Sequence, residues 1–439
     1  MMRFEEHPQR RRLNDELHAR KFNDFDGTGR FIRYVYFTQG DDARLLADVN
    51  DMLQSLSLPV MKDDEKFIRF QTDTYAIRVE RHTEFMSLSI IDNDDAPVRG
   101  LPLHGFDEAS FAHLPFTKIR ALPHPVFHAM WLEICDLPQI LPNAAEMEKL
   151  LSGRSVAGSK ISAGGAHLYA GFDIDEAGYS RMALLNDSVA SHRMGRVIQR
   201  VIELETYRLM ALLGLPKVKF LSPDLVQAED DLRKATRQLS AVHNGLQSPQ
   251  TLADADALLA KLTALAADVE QIYSETSFRF SASLAYQDIV TGRLEALNTE
   301  RLDGFQSLRG FLQKRMMPAM QSVTAFAHRL DKVSSRIARA GQLQRSQTEM
   351  ALQRQNRDLL TSMNKRTQAQ LRLQQTVEGL SIAALTYYGV GLVGYVASAL
   401  PLPISTTIVK ALAVPIIALT VYGVMKHVRR TLARQPDQD

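Results

Sequence analysis

Cysteine is nearly absent from this sequence: Cys135 stands alone among 439 residues, so no disulfide can form within the chain. Such a composition suits a reducing compartment such as the cytoplasm. The N-terminal stretch MMRFEEHPQRRR contains no apolar segment, and we therefore expect no signal peptide. Excess charge of one sign is also missing. A formal net charge of +2 gives no general electrostatic reason to expect nucleic acid as a partner.

Charged residues are missing from LSIAALTYYGVGLVGYVASAL at positions 380–400, which are 21 residues long. Such a stretch can cross the roughly 30 Å hydrocarbon core of a bilayer as one helix. A second apolar run, IVKALAVPIIALTVYGVM, follows after a short turn, and its single charge is Lys410. A buried helical hairpin of a soluble protein is the alternative, but soluble helices rarely lack a polar face for so long. The sequence therefore predicts a transmembrane hairpin over 380–425, with spans at 380–400 and 404–425.

Basic residues flank the predicted hairpin on one side only. Lys365, Arg366 and Arg372 precede it, and a basic tail at 426–439 follows it. Cationic segments stay on the cytoplasmic side of a membrane. We therefore expect a multi-pass protein of the cytoplasmic (inner) membrane, with the lipid bilayer as a partner and both termini in the cytoplasm.

Proline is missing from 319–400, and glycine is rare there before the apolar run. A helix through this stretch would be about 120 Å long at 1.5 Å per residue. Its first part carries apolar residues at alternating spacings of four and three, the pattern of a coiled-coil seam: Phe326, Leu330, Val333, Ile337 and Ala340. A helix with so narrow an apolar stripe needs partners, either the preceding helices or further copies of itself. We favour a homo-oligomer formed through this stalk helix.

The N-terminal half reads as a mixture of strands and helices. Strand candidates with β-branched and aromatic character are found at 31–37, 66–70, 75–80, 85–91, 153–163, 167–174 and 179–185. Residues 96–150 are rich in proline and histidine, and we expect loops and short helices around Trp131. A helix is predicted at 190–214, ending at Gly214 and Pro216, and others at about 223–244, 249–274 and 277–316. No strand pattern recurs after Ser222.

These patterns predict an α+β N-terminal cytoplasmic domain with a mostly antiparallel sheet, followed by long α-helices that form a coiled-coil-like stalk and by the two-helix transmembrane hairpin. The predicted boundaries are 1–220 for the α+β domain, 221–317 for a helical region and 318–379 for the stalk helix. The hairpin at 380–425 and the basic tail at 426–439 complete the chain.

Six stretches together resemble one bacterial family: LNDELHAR (13–20), RHTEF (81–85), GRVIQRVIELETYRLMALLGLP (195–216), SFRFSASLAY (277–286), KRMMPAM (314–320) and QLRLQQTVEGLSIAALTYYGVGLVGY (370–395). That family is known as an uncharacterised membrane-anchored family, a domain of unknown function. The resemblance covers nearly the whole chain. It implies a protein of the cytoplasmic membrane, and it implies no activity, cofactor or catalytic residue. One departure is KFNDFDGTG at 21–29, where the family usually continues with proline-rich sequence.

The candidate metal ligands are Glu80, His82 and Glu84. On a strand extending through 78–84 these side chains would share one face. An imidazole and two carboxylates could ligate a divalent metal. A solvated face with cross-strand ion pairs explains the same pattern, and we prefer that interpretation. His124 and His128 are four residues apart, but the prolines beside His124 disturb the helix that would align them.

A second candidate site is a polar stripe on the 190–214 helix. Arg193, Arg196, Arg200 and Glu203 recur at helical spacing and could receive an anionic ligand or the carboxylates of a partner. A surface of paired charges is the alternative. The stretch Asp24-Phe25-Asp26-Gly27-Thr28 spells a phosphatase motif, but no buried strand leads into it, so a glycine turn before the strand at Phe31 is the better interpretation.

Three functions remain open at this stage. The first is a membrane-anchored cytoplasmic protein that acts as an oligomeric structural or regulatory module. The second is ion transport, because the layout resembles that of CorA-type magnesium channels. Those channels carry Gly-Met-Asn at the external end of the first span, whereas the turn here is PLPISTT. The third, a membrane-tethered enzyme, would depend on the Glu80, His82 and Glu84 cluster. No catalytic residue and no cofactor can be assigned.

Overall fold

The computed structural model describes residues 7, 9–10, 25, 27–38, 40–92, 106–243, 249–399 and 405–432. The chain forms two compact units. The first comprises Met1–Arg237 and Ala260–Ala340, and the second comprises Gln238–Leu259 and Gly341–Asp439.

The described part of the first unit is organised around one nine-stranded sheet. Its strands are β1 (Gly29–Phe37), β2 (Phe67–Gln71), β3 (Tyr75–Arg81), β4 (Phe85–Asp92), β5 (Val126–Asp136), β6 (Val156–Ile161), β7 (Ala166–Ile174), β8 (Ser180–Asn186) and β9 (Glu300–Arg301). Their order is β2-β3-β4-β1-β5-β8-β7-β6-β9. Only the β5–β8 pair is parallel; the other neighbouring pairs are antiparallel. The predicted α+β class with a mostly antiparallel sheet is therefore confirmed.

Two parts of the sheet differ from the sequence prediction. Trp131 lies in the centre of β5, an 11-residue strand, and not among loops and short helices. Eight consecutive residues of this strand are buried, since helices or loops cover both faces of the sheet there. A strand buried on both faces loses the alternating pattern by which strands are recognised. The second difference is β9, which lies after Ser222 and pairs with Lys160 at the edge of the sheet.

The sheet separates two hydrophobic layers. One face packs against helix α1 (Asp42–Ser55) and the segment that includes α2 (Phe116–Arg120); α3 (Ala144–Leu150) also contributes Met147 to this layer. The other face packs against α4 (Ser191–Leu212), which buries Val197, Ile198 and Val201 there. Residues of β1 alternate between the layers, Phe31 toward α4 and Ile32 toward α1. This alternation assigns every strand side chain to one layer.

Three long helices follow α4: α5 (Gly214–His243), α6 (Pro249–Ala296) and α8 (Met317–Ala399), with the short α7 (Leu308–Arg315) before the last. Gly214 begins α5 instead of ending the chain's helical run, and Pro216 fits because the first turn of a helix needs no proline N–H. Pro223 lies inside α5. The predicted helix at 277–316 is divided between α6 and α7, with β9 between them.

The predicted seam of the stalk helix is buried within a single chain. Phe326, Leu330 and Val333 are each 2% exposed. Phe326 meets the ring of Phe280 on α6 at 5.5 Å, and Arg329 forms a bidentate ion pair with Glu229 on α5. The preceding helices therefore cover the seam, and it does not require a second copy of the chain. In the second unit, Gln344 is also buried, and its side chain donates to the Ala255 carbonyl at 3.1 Å.

The C-terminal helices, α8 and α9 (Thr406–Leu432), each contain an apolar stretch long enough to cross a membrane, and little of either stretch is buried in the chain. They pack against each other. A Cβ atom added at Gly389 would lie 2.8 Å from Ile417, and Gly394 lies against the Lys410 side chain. Because the contact partner moves backward along α9 as the position on α8 moves forward, the two helices run antiparallel. The hairpin predicted from the sequence has this arrangement, although residues 400–404 lie outside the described residues.

Candidate functional site

A cluster of charged and hydroxyl side chains lies inside the sheet face that α4 covers. Glu80 accepts hydrogen bonds from Arg33 at 3.0 Å and from Arg78 at 2.5 Å, and the Ser87 hydroxyl lies 3.4 Å from it. All four residues are at least 95% buried. Burial alone would raise the pKa of the Glu80 carboxyl, but the two guanidinium groups together lower it to about 2. Glu80 therefore stays ionised and is held between two cations.

The predicted metal ligands have other partners. β3 ends at Arg81 and β4 begins at Phe85, so a turn replaces the strand that would have aligned Glu80, His82 and Glu84. Glu84 forms an ion pair with Arg279 and accepts a hydrogen bond from the Tyr286 hydroxyl at 2.7 Å. Across the described ranges, no three His, Cys, Asp or Glu side chains are grouped to hold a metal ion. The metal site stays a sequence prediction without a geometric basis here.

The stripe on α4 is divided between solvent and neighbouring helices. Arg193 and Arg196 are exposed. Arg200 donates to the Ala296 carbonyl at 3.0 Å, and Glu203 accepts from Arg293 and, at 2.9 Å, from Gln199. Two of the four predicted contact residues are thus engaged in holding α4 to α6. An anionic ligand or a partner would find only Arg193 and Arg196 open.

The two histidines of the Pro-His-Pro region do not meet. His128 points from β5 into the layer under α4, where burial lowers its pKa to about 4 and keeps it neutral. His124 is partly buried, and its Nε2 lies 2.6 Å from the Asp48 carboxylate. It lines an open cleft of about 660 Å³ together with Arg44 and Phe127. His124 and His128 therefore do not form one site, although they are four residues apart in the sequence.

The opposite face of the sheet holds a second charged cluster that the sequence analysis missed. Asp92, Arg30 and Glu133 lie in one row on β4, β1 and β5. Arg30 forms an ion pair with Asp92, and its Nε lies 3.3 Å from Glu133. Trp131 donates its indole N–H to Glu133 at 2.6 Å. Burial raises the pKa of the Glu133 carboxyl to about 7, since Arg30 and the indole offset only part of the desolvation.

Register explains why this row was missed. Arg30 and Asp92 stand at strand ends and Glu133 stands in a segment that the sequence assigned to loops. Each reads separately as a surface charge, and only strand pairing brings the three together. The phosphatase-like stretch gains no support: Gly27 has the left-handed φ of +73° typical of a turn before β1, and Asp24 and Asp26 lie outside the described residues.

The fold and these clusters define a mixed α+β protein with internally paired charges, long helices and two candidate apolar helices near the C-terminus. The chain belongs to the family described as "Protein of unknown function (DUF3422)", whose model matches residues 5–432. This confirms the resemblance to an uncharacterised family over nearly the whole chain. No curated protein matches the sequence.

Proposed function

We propose that this protein is a membrane-anchored module whose α+β unit works at the cytoplasmic face of the inner membrane. The observation that supports this most is the α8–α9 hairpin. Its two apolar stretches leave large side chains such as Tyr387, Leu392 and Leu419 between 67% and 77% exposed within the chain. Exposing so large an apolar surface to water is unfavourable, whereas the hydrocarbon core of a bilayer would bury it.

Small residues support the same proposal. Helices in a bilayer have no hydrophobic drive to associate and rely on close backbone approach. The α8–α9 contact has this character, since Gly389 faces Ile417 and both Ala397 and Ala413 are buried. The Lys410 stem lies over Gly394, close to the turn. Its ammonium group can then reach the headgroups on the outer side.

Cysteine accessibility tests this proposal, because Cys135 is buried and burial raises the pKa of its thiol to about 12. The Cys135 thiol therefore ionises little and should give almost no background labelling by maleimides, which react with thiolates. Ser405→Cys, in the turn, should react with a membrane-impermeant maleimide in intact cells. Ser362→Cys, on exposed α8 before the span, should react only after the cells are opened. If Ser405→Cys were labelled only after the cells were opened, the proposed orientation would be wrong. If alkaline extraction released both variants from the membrane fraction, the proposed membrane anchor would be wrong.

We further propose that the stalk part of α8 associates with a second copy. From Leu352 to Val377 every side chain is exposed in the single chain. Most helices in proteins are stabilised by packing an apolar face against a neighbour, and this segment has no such neighbour within the described chain. It nevertheless carries an apolar stripe with heptad spacing, which we call the stalk stripe: Leu352, Leu359, Met363, Leu373, Val377 and Leu380. This stripe, and not the buried seam, is where self-association has surface to cover.

The ion-transport alternative is separated from an anchor by the number of subunits in the detergent-solubilised particle. A closed ring with α8 lining its axis would support transport. In a dimer, two copies of α8 would not enclose a pore along the two-fold axis, and this result would support a structural or regulatory module.

A further inference from the structure

The layer between the sheet and α4 contains polar atoms that nothing in the described chain satisfies. Arg33 on β1 and Ser89 on β4 are paired residues of an antiparallel ladder, and Arg78 pairs with Ser89 from the other side. Directly paired residues on one face have Cβ atoms about 5 Å apart. Ser89 is fully buried and Arg33 is 3% exposed. Ser89 therefore stands between two buried arginines in one row across the sheet.

Three buried polar atoms, one on each of β1, β4 and β5, have no hydrogen-bond partner on this face among the described residues. Arg33 uses Nη1 on Glu80, but its Nε has no hydrogen-bond partner among the described residues. The Ser89 hydroxyl and His128 Nε2 are likewise without a partner in that part of the chain. His128 is 3% exposed and stands diagonally across the β1–β5 ladder from Arg33. Each buried polar group left unsatisfied costs about 1–3 kcal/mol, so three in one layer indicate a missing ligand.

The character of these atoms defines the ligand. Arg33 Nε–H can only donate, and a serine hydroxyl can donate to any acceptor. The acidic groups around them already have partners. Glu80 accepts from Arg33 and Arg78, and Arg208 binds both oxygens of Glu205 at 2.7 Å. The site thus offers hydrogen-bond donors and positive charge, which suit an anionic ligand that only accepts hydrogen bonds. Its full enclosure restricts that ligand to a small one.

We propose that a single small inorganic anion of halide size binds in this layer, between Arg33 and Ser89 and beside His128. The anion accepts from Arg33 Nε–H and from the Ser89 hydroxyl. Chloride is the probe that fits the size and charge. Bound there, it links β1 and β4 beneath α4 and accepts hydrogen bonds from two donors that have no acceptor in the part of the chain that the structure describes.

The test follows thermal unfolding of the full-length protein in detergent by the fluorescence of Trp131, the single tryptophan. Sodium gluconate is exchanged for sodium chloride at constant ionic strength. The wild type should show a saturable rise in melting temperature with chloride, and with bromide, because a ligand that binds the folded state alone stabilises it. Sulfate should not reproduce the effect at equal ionic strength, since it is larger and divalent.

Two serine variants make the test specific. Ser89→Ala removes a hydroxyl that has no hydrogen-bond partner among the described residues. The fold should therefore persist, while the midpoint of the chloride response moves at least tenfold higher. Ser87→Ala is the matched control on the same strand and face; its hydroxyl contacts Glu80, and the chloride response should stay. A wild type indifferent to chloride would overturn the proposal, as would equal responses of the two variants or an equal effect of sulfate. In bromide-soaked crystals, an anomalous peak beside Ser89 would confirm the site, and a peak only elsewhere would refute it.

Discussion

Glu133 allows the sharpest prediction on stability. Its carboxyl has an ordinary pKa of 4.5 in the unfolded chain and about 7 in the folded one, where only 7% of the side chain is exposed. The folded state therefore holds a proton that the unfolded state releases between these two values. Stability that depends on Glu133 is complete below pH 4.5 and is lost as the pH rises toward 7.

The size of the effect follows from the same pKa values. A difference of about 2.5 between them, at about 1.4 kcal/mol for each pH unit, gives roughly 3 kcal/mol. Glu133→Gln removes the ionisation and keeps an oxygen that can accept from the Trp131 indole. The variant should match the wild type near pH 4.5. Near pH 8 it should be more stable by roughly 3 kcal/mol.

Urea unfolding at a series of pH values, followed by Trp131 fluorescence, measures this difference. The same fluorophore gives a second readout, since the indole N–H lies 2.6 Å from the carboxyl and its emission should change with an apparent pKa near 7 in the wild type only. Glu148→Gln, at an exposed position on α3, is the control and should leave both readouts unchanged. A free-energy difference between wild type and Glu133→Gln that is equal at pH 4.5 and pH 8 would refute the reasoning.

Two further predictions concern the long helices. Leu359→Glu in the stalk stripe should reduce the purified protein to a smaller oligomer, measured by light scattering. Leu360→Glu, at the next residue and outside the stripe, should leave the oligomer unchanged. Equal molecular masses for the two variants would refute self-association through the stripe. Gly389→Leu should destabilise the hairpin by about 1–3 kcal/mol, because the new side chain would clash with Ile417; denaturation in detergent followed by circular dichroism measures the change. Gly391→Leu is the control and should have no effect, since that position faces open space. An unchanged stability of Gly389→Leu would show that the two helices do not pack at this glycine.

Local pattern alone was enough for several elements. The strands at 31–37, 75–80 and 85–91 were predicted nearly to their ends, because alternation and β-branched content are properties of the segment itself. The two apolar helices near the C-terminus follow equally from composition, since length and lack of charge suffice. The family could be recognised for the same reason, as its motifs are continuous stretches of sequence.

The tertiary structure decided what depends on burial and pairing. Trp131 was assigned to loops because a strand covered on both faces shows no alternation. The seam at Leu330 and Val333 needed a partner, and only the fold shows that α5 and α6 supply it within one chain. Glu80 pairs with Arg78 on its own strand and with Arg33 on β1, whereas Glu84, beyond a turn, pairs with Arg279, and only the fold supplies the two distant arginines.

The candidate sites show the same division. Arg33, Ser89 and His128 are separated by 39 residues or more along the chain, and strand register places them together. Their desolvation, like the raised pKa of Glu133, comes from the layers that cover the sheet. The sequence by itself determined most of the strands and helices and both apolar stretches near the C-terminus. Which charged groups lose their water and which partners they then find is a property of the assembled layers, because both depend on residues far apart in the chain.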